Sequence, residues 1–365
     1  MAGDAALARL LDQVQTARAQ GGHLHIAGGG SKAFYGEPVE PGARPLDTRV
    51  LAGISSYEPS ELVVTVRAGT LLTDVEAALA EKGQCLPFEP PRFSPGGTVG
   101  GMVAAGLSGP ARATLGSVRD HLLGTTLLNG KGELLSFGGT VMKNVAGYDV
   151  SRMLAGSMGM LGLICEVSLK VLPAAQATLT LRIEAPQDLA LRHLNTWGGQ
   201  PLPLQASAWW DEMLVLRLSG AAAAVQSARA ALGGEVIDEP LAASFWQGLR
   251  DHGDEFFVGA ERAVAQGAGL WRLSVPSTAP VLPLSGQQLV EWGGAQRWLC
   301  TSAPAATVRE AAAALGGHAT LFRAMDKSAG VFTPLEPALA RIHRELKTAF
   351  DPDRVFNRGC LVPGL

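Results

Sequence analysis

A basic charge excess, paired cysteines and a long apolar run are all missing from this 365-residue chain. Lysine and arginine total 30 against 33 aspartates and glutamates, a formal net charge of -3, so the electrostatic footprint of a nucleic-acid-binding protein is absent. There is no lysine-rich run and no basic amphipathic helix. The four cysteines, Cys85, Cys165, Cys300 and Cys360, each stand alone. Without a C-x-x-C pair neither a zinc ribbon nor an iron–sulfur cluster is encoded, and a reduced, cytoplasmic protein is the expectation. The seven histidines form no ligand pair on a helix, so no metal site is expected. No segment approaches the roughly 20 apolar residues that cross a bilayer. Asp4 and Asp12 interrupt what would be the apolar core of a signal peptide, so no leader is expected either.

What is present points to two large cores. Hydrophobic residues make up 47% of the chain and charged residues only 17%, at a length that usually splits into more than one domain. The first part alternates short strands and helices. Residues 23–27 read as a strand followed by a glycine run, and residues 61–68, ELVVTVRA, alternate as a half-buried strand ending at Gly69. Thr70 then reads as the N-cap of a helix stopped at Gly83. A second block has strands near residues 122–128, 133–137 and 162–172. Beyond Pro173 the glycine-rich loops give way to strand–strand–helix–strand patterns, which predict an antiparallel sheet with helices on one face. The fold class expected is α+β: residues 1–173 in two α/β subdomains divided near residue 90, then a cap at 174–330. Residues 331–365 form a closing helix and tail.

The 45 glycines follow no collagen-like period, and their positions carry the chemistry. Residues 26–32, IAGGGSK, put glycines directly after a strand, where backbone N–H groups can approach a pyrophosphate unobstructed by Cβ atoms. A plain strand-end turn fits this segment as well. A nicotinamide-type Rossmann fold does not, because AFYGEPVEPGARP cannot form the helix that fold requires; a nucleoside-triphosphate P-loop is excluded by the missing G-x-x-x-x-G-K-[ST]. Residues 94–124, SPGGTVGGMVAAGLSGPARATLGSVRDHLLG, interleave glycine with small and apolar residues, as backbone does when it packs on something flat or phosphorylated. A third segment, residues 137–173, leads Gly156, Gly159 and Gly162 into an apolar strand.

In this order, V-R-A-G-T, P-G-G-T-V-G-G, G-S-V-R-D and G-S-M-G-M-L-G-L-I resemble the PCMH-type FAD-binding domain of the vanillyl-alcohol oxidase superfamily. The tail F-D-P-D-R-V-F-N-R-G resembles that superfamily's closing motif, with Arg358 where proline is usual. The run K-N-V-A-G-Y-D and the phrase LWRLSVPS look most like the E subunit family of glycolate oxidase. The resemblance implies non-covalent FAD. Gly28, Gly29, Gly30, Ser31 and Lys32 would hold the pyrophosphate, while Pro95, Gly96, Gly97, Thr98, Gly100 and Gly101 would run beside pyrophosphate and flavin. Ser117, Asp120, Gly162 and Ile164 would complete the bed, with Asn357 near the ring. Members with a covalent flavin carry a histidine in the first glycine loop; this loop has none, and His23 and His25 on the preceding strand read as structural or exposed.

The resemblance further implies a subunit of a complex that oxidises glycolate, a small 2-hydroxy acid, to glyoxylate. Its partners would be a second FAD subunit that performs the substrate chemistry and an iron–sulfur subunit. The complex would sit in the cytoplasm or against the inner membrane. A free-standing D-lactate-type dehydrogenase is the alternative reading, and a structural flavin-binding subunit without turnover is another. The His-rich stretch of catalytic relatives is missing here, so no catalytic residue is assigned. His121 is the one histidine near the glycine segments. Arg272 and Arg323 on probable cap strands are candidates to face a carboxylate, and Trp209, Trp210 and Trp271 either line the flavin pocket or fill the cap core.

Overall fold

The computed structural model describes residues 4–140 and 149–365. The opening helix, Ala5–Ala19, is capped by the Asp4 carboxylate, which accepts from the Ala6 and Leu7 amides. Its buried stripe, Leu7, Leu10, Val14 and Ala17, packs on Leu24, Leu46, Leu163 and Phe356. A five-stranded antiparallel sheet follows, in the spatial order Ile54–Glu58, Val63–Arg67, Leu163–Lys170, Leu122–Leu128, Leu134–Gly138. It draws strands from both sides of residue 90. The central strand Leu163–Lys170 feeds two cores, while Glu166, Ser168 and Lys170 alternate as its polar positions. Leu163 and Cys165 meet the opening helix's core, while Ile164, Val167 and Leu169 belong to a second core with helices Leu72–Ala80 and Val99–Ala105.

Thr70 is not the cap of helix Leu72–Ala80; Leu71 is. The Thr70 hydroxyl is taken up by loop backbone instead, donating to the Arg67 carbonyl at 2.7 Å and accepting from the Gly53 amide at 2.9 Å.

Residues 177–323 build an eight-stranded antiparallel sheet. Its spatial order is Glu235–Ile237, Ala177–Glu184, Met213–Gly220, Leu204–Trp210, Gln287–Glu291, Gln296–Thr301, Gly269–Ser274, His318–Arg323. Read from its outer edge inward, each half runs fourth, first, third, second in chain order, and the halves meet edge to edge through Ala208–Trp209 and Val290–Glu291. Helices cover both faces of this sheet, not the one expected. Leu214, Leu216 and Leu218 face helices Gln187–Gly198 and Ala222–Leu232, while their neighbour Val215 faces Trp246 and Phe256 of helices Glu239–Asp251 and Glu255–Ala265. That alternation is the period-two signature of a strand buried on both sides.

The second face also receives Phe34, Tyr35, Phe93 and Leu107 from the N-terminal half, which sets the cap against the glycine segments. The tail returns to the beginning of the chain. Leu24 donates to the Val355 carbonyl at 2.7 Å and Asn357 donates to the Leu24 carbonyl at 3.0 Å. Helix Pro337–Phe350 is pinned there by a buried pair: the Lys347 ammonium donates to the Asp351 carboxylate at 2.7 Å, and that carboxylate accepts from the Val355 and Phe356 amides at 2.9 Å each. No helix among the described residues is long and apolar enough to cross a membrane.

Candidate functional site

A cavity of about 190 Å³ opens between strand Leu24–Ala27 and helix Val99–Ala105. Of the sixteen residues singled out above, Gly28, Gly29, Gly30, Ser31, Lys32, Thr98, Gly100, Gly101, Gly162, Ile164 and Asn357 line it. Five do not. Pro95 is not in its wall, and Gly96 and Gly97 stand behind the glycine loop: a Cβ on Gly29 would collide with the Gly96 carbonyl oxygen, and one on Gly97 would lie 3.2 Å from the Ser31 hydroxyl. Ser117 and Asp120 are occupied with each other. The Asp120 carboxylate accepts from the Ser117 amide at 2.8 Å and hydroxyl at 2.9 Å, a capping box that starts the turn into strand Leu122–Leu128.

The glycines of the cavity divide by what their missing side chains would touch. A Cβ on Gly28 would meet the Thr98 hydroxyl, and one on Gly100 would meet Ala68 at 2.7 Å, so these glycines let protein pack on protein. Gly101 differs. Its Cβ direction meets only the Thr98 hydroxyl, at 3.2 Å, and points otherwise into open cavity. That hydroxyl caps helix Val99–Ala105 by accepting from the Gly101 amide at 3.3 Å.

Lys32 supplies the cavity's cation. Burial pushes its ammonium down to about 8, with Asp251 acting in the opposite sense through space. No carboxylate among the described residues forms an ion pair with it. Its neighbours are the Ser31 hydroxyl, 3.4 Å away, and the face of Phe93, 5.6 Å from the ring centre. A desolvated cation without a counter-charge, beside bare glycine backbone, matches an anionic group approaching that backbone.

Asn357 joins three segments at the cavity. Its side-chain oxygen accepts from the Ile26 amide at 2.7 Å, and its amide nitrogen donates to the Met158 carbonyl at 2.7 Å. Strand, tail and third glycine segment are thereby held in register. His25, read as structural or exposed, lines the cavity; its Nδ1 is buried without a partner, and burial lowers its pKa, so the ring is neutral. His23 lies 3.0 Å from the Glu40 carboxylate.

His121 is committed elsewhere, with Nε2 2.7 Å from the Leu115 carbonyl and its ring against Phe88. Trp209 and Trp271 are cap core, and Trp210 packs near Phe256. Arg272 reaches toward the cavity wall, donating to the Tyr35 hydroxyl at 3.2 Å, and Arg323 lies 3.6 Å over the Phe34 ring. The cap also grips the segment after the glycine loop: Lys327 donates to the carbonyls of Phe34 at 2.5 Å and Gly36 at 2.9 Å. Sequence reasoning missed this clamp, which a lone lysine in a loop does not signal. No cluster of His, Cys, Asp and Glu among the described residues could hold a metal ion. Most of the K-N-V-A-G-Y-D run, residues 143–148, lies outside the described residues.

Comparison with known proteins accords with this geometry. An FAD binding domain model matches residues 7–152. Over 350 residues the chain is 47% identical to glycolate oxidase subunit GlcE of Escherichia coli (strain K12), covering 96% of this chain and 95% of that protein. Shorter matches include the D-lactate dehydrogenase of Anaerostipes hadrus, 34% identical over 36% of this chain and 27% of that one. Another is glycolate oxidase subunit GlcD of Bacillus subtilis (strain 168), 30% identical over 35% of this chain and 27% of that one. Among solved structures, an alkyldihydroxyacetonephosphate synthase superposes with a TM-score of 0.65 at 15% identity, covering 95% of this chain and 73% of that one. At that identity the likeness is one of fold.

Proposed function

The chain belongs to the glycolate oxidase subunit GlcE family of FAD-dependent oxidoreductases, and on that premise we propose that it is the FAD-carrying subunit of a complex that oxidises glycolate to glyoxylate. The observation that carries this reading is the open space beside Gly101 and the unpaired Lys32 in one glycine-walled cavity. Bound there, FAD supplies a two-electron acceptor for the hydride of a hydroxy-bearing carbon.

The chain's own residues have separable tasks. The backbone amides of Gly28, Gly29 and Gly30, with the Ser31 hydroxyl and the Lys32 ammonium, hold the pyrophosphate. Gly100 and Gly101 leave room for the cofactor alongside helix Val99–Ala105. Gly162, Ile164 and Asn357 complete the wall. Ser117 and Asp120 act one step back, by fixing the turn at residues 117–121. Residues 1–173 and 331–365 make up the FAD-binding part, and residues 174–330 the cap.

The hydroxyl proton needs a base, and general-base help is worth about 10²–10⁴ in rate. Among the described residues that line the cavity, the candidates are His25, a neutral imidazole on the strand that enters the glycine loop, and Glu37, whose carboxylate already accepts from the Val331 amide at 2.6 Å. We therefore assign the main substrate step to a second FAD subunit and the onward electron transfer to an iron–sulfur subunit, since single cysteines such as Cys165 and Cys360 cannot build a cluster here. The test is glycolate-dependent dye reduction, measured with the chain alone and after co-expression with its two partners. The expected result is activity only in the complex. Turnover above about 1 per second by the isolated chain, within the ordinary enzyme range, would show a free-standing dehydrogenase instead.

A further inference from the structure

The loop that backs the glycine segment is bent in a way its residues resist. Residues 88–94 read F-E-P-P-R-F-S, and Glu89 and Phe93 hold left-handed backbone, with φ of 46° and 56°. Neither is glycine, and such residues stay in that region only where their surroundings over-determine them. The cap supplies those surroundings. The Glu89 carboxylate accepts from Arg217 of strand Met213–Gly220 at 2.7 Å and from the Ala111 amide at 2.8 Å. Asp251, the last residue of helix Glu239–Asp251, accepts from the Arg92 amide at 3.0 Å.

Asp251 is itself held. Arg250 donates to both of its oxygens, at 3.0 and 2.8 Å. The same guanidinium lies 3.9 Å from Glu76 of helix Leu72–Ala80, whose other oxygen is 2.5 Å from the Arg92 guanidinium. Four half-buried charges of alternating sign thus tie the cap helix to the loop.

The loop ends against Lys32. The Phe93 ring faces its ammonium at 5.6 Å, and a Cβ on Gly97 would meet the Ser31 hydroxyl on one side and the Arg92 carbonyl, 3.9 Å away, on the other. The remaining charged and titratable groups around this cation have other roles. Arg323 of the cap lies 5.7 Å from the Phe93 ring, and His252, kept neutral by burial, packs on the same ring at 4.8 Å. On the cavity side stand the neutral His25 and Glu37, whose carboxylate accepts from the Val331 amide at 2.6 Å. Asp251 is the carboxylate whose field reaches the ammonium, through space and without contact.

We propose that Asp251 is a positioning residue for the cofactor: from the cap it fixes loop 89–93 behind the glycine segment and supplies the negative charge that favours Lys32 as a cation opposite the pyrophosphate. The inference rests on the reading of Lys32 as a pyrophosphate ligand, and it makes the cap part of the cofactor site. Its two electrostatic effects differ in sign. A fixed carboxylate repels the pyrophosphate at any pH, whereas its support of the lysine matters only where the lysine titrates. Removing the charge therefore leaves FAD binding intact at low pH and weakens it at high pH. Loss of a purely mechanical clamp weakens binding equally at every pH.

The test is titration of the full-length apoprotein with FAD from pH 6 to 9.5, read by flavin fluorescence, for the wild type, Asp251→Asn, Arg250→Gln and Lys32→Met. Asparagine keeps an acceptor for the Arg92 amide and removes only the charge. Asp251→Asn should bind FAD no more than about twofold more weakly than wild type at pH 6, and about threefold or more weakly at pH 8, because its affinity starts to fall at lower pH. Arg250→Gln leaves Asp251 less neutralised and should move that fall to higher pH. Lys32→Met should show no fall; a slope that persists there refutes the pyrophosphate reading of Lys32 separately from the role of Asp251. Circular dichroism checks folding, and if Asp251→Asn does not fold, Arg250→Gln decides, an unmoved profile counting against the proposal. A folded Asp251→Asn chain whose profile coincides with wild type, or is weaker by one factor at every pH, overturns it.

Discussion

Gly101→Val separates cofactor binding from folding more cleanly than any other change in the glycine segments. Gly101 lies in helix Val99–Ala105 with an ordinary negative φ, and valine is a slightly better helix former than glycine, so the local backbone does not resist it. The valine Cβ meets only the Thr98 hydroxyl, at 3.2 Å, which yields by a few tenths of an ångström. The two γ-methyls extend toward the cavity that Gly101 lines. Overpacking an occupied site costs about 1–3 kcal/mol, which at about 1.4 kcal/mol per tenfold converts to a 5- to 150-fold rise in the FAD dissociation constant. The assay is titration of apoprotein with FAD, read by quenching of flavin fluorescence, beside a urea unfolding curve of the same apoprotein. Gly29→Ala is the contrasting change: its Cβ would enter the Gly96 carbonyl, so this variant should lose the fold together with the cofactor. Gly198→Val, at a helix end with no atom within 4 Å of its Cβ, should alter neither. If Gly101→Val binds FAD within twofold of wild type while folded, the cofactor does not run beside this helix and the reasoning fails.

Lys32 gives a pH signature. With its ammonium pushed down to about 8, it is charged below that pH, and a bound pyrophosphate favours the charged form. FAD affinity should therefore fall as pH rises from 7 to 10. Lys32→Met should bind roughly 10- to 150-fold more weakly at pH 7, a charge-assisted hydrogen bond being worth roughly 1.5–3 kcal/mol, and should show no such slope; a wild-type profile as flat as the variant's contradicts the assignment. Asp351→Ala strands the buried Lys347 ammonium and two backbone amides, a loss of about 3–5 kcal/mol in urea unfolding. The double change Lys347→Met with Asp351→Leu should recover most of it, and a single-mutant loss below about 1 kcal/mol would show that the tail is held by something else.

The glycine segments were legible because their signals are local: a strand running straight into the bare backbone of Gly28, Gly29 and Gly30, and, far along the chain, glycines packed among small and apolar residues around helix Val99–Ala105. So was the cap, whose strands alternate visibly between WWDEMLVLRLSG and QRWLCTS. What stayed hidden depends on distant partners. Nothing near Gly29 says that Gly96 will lie against it; the Ser117–Asp120 pair, by contrast, carries the S-x-x-D spacing of a capping box, a local signal that the reading as cofactor ligands passed over. That His25 lines the cavity was not legible either, because the cavity opens along the end of its strand only once helix Val99–Ala105 and the tail are packed there. The two helices after residue 238 were overlooked because the regular strand–helix pattern on either side suggested a cap with one covered face. Lys347 and Asp351 look like surface residues of an amphipathic helix and its tail. Only the return of Val355 and Phe356 to strand Leu24–Ala27 buries them.

Flavin content is the most direct measure of the central claim. The purified full-length chain should be yellow, and acid precipitation should leave a colourless pellet and release close to one FAD per chain into the supernatant. Chromatography identifies the released flavin, and the protein assay on the same sample gives the ratio. Non-covalent release is expected because the loop at Gly30, Ser31 and Lys32 offers no imidazole, and His25 lies on the strand before it. Colour retained in the pellet would mean a covalent bond and would turn attention to His25. A folded but colourless chain that does not take up added FAD would contradict the account at its root.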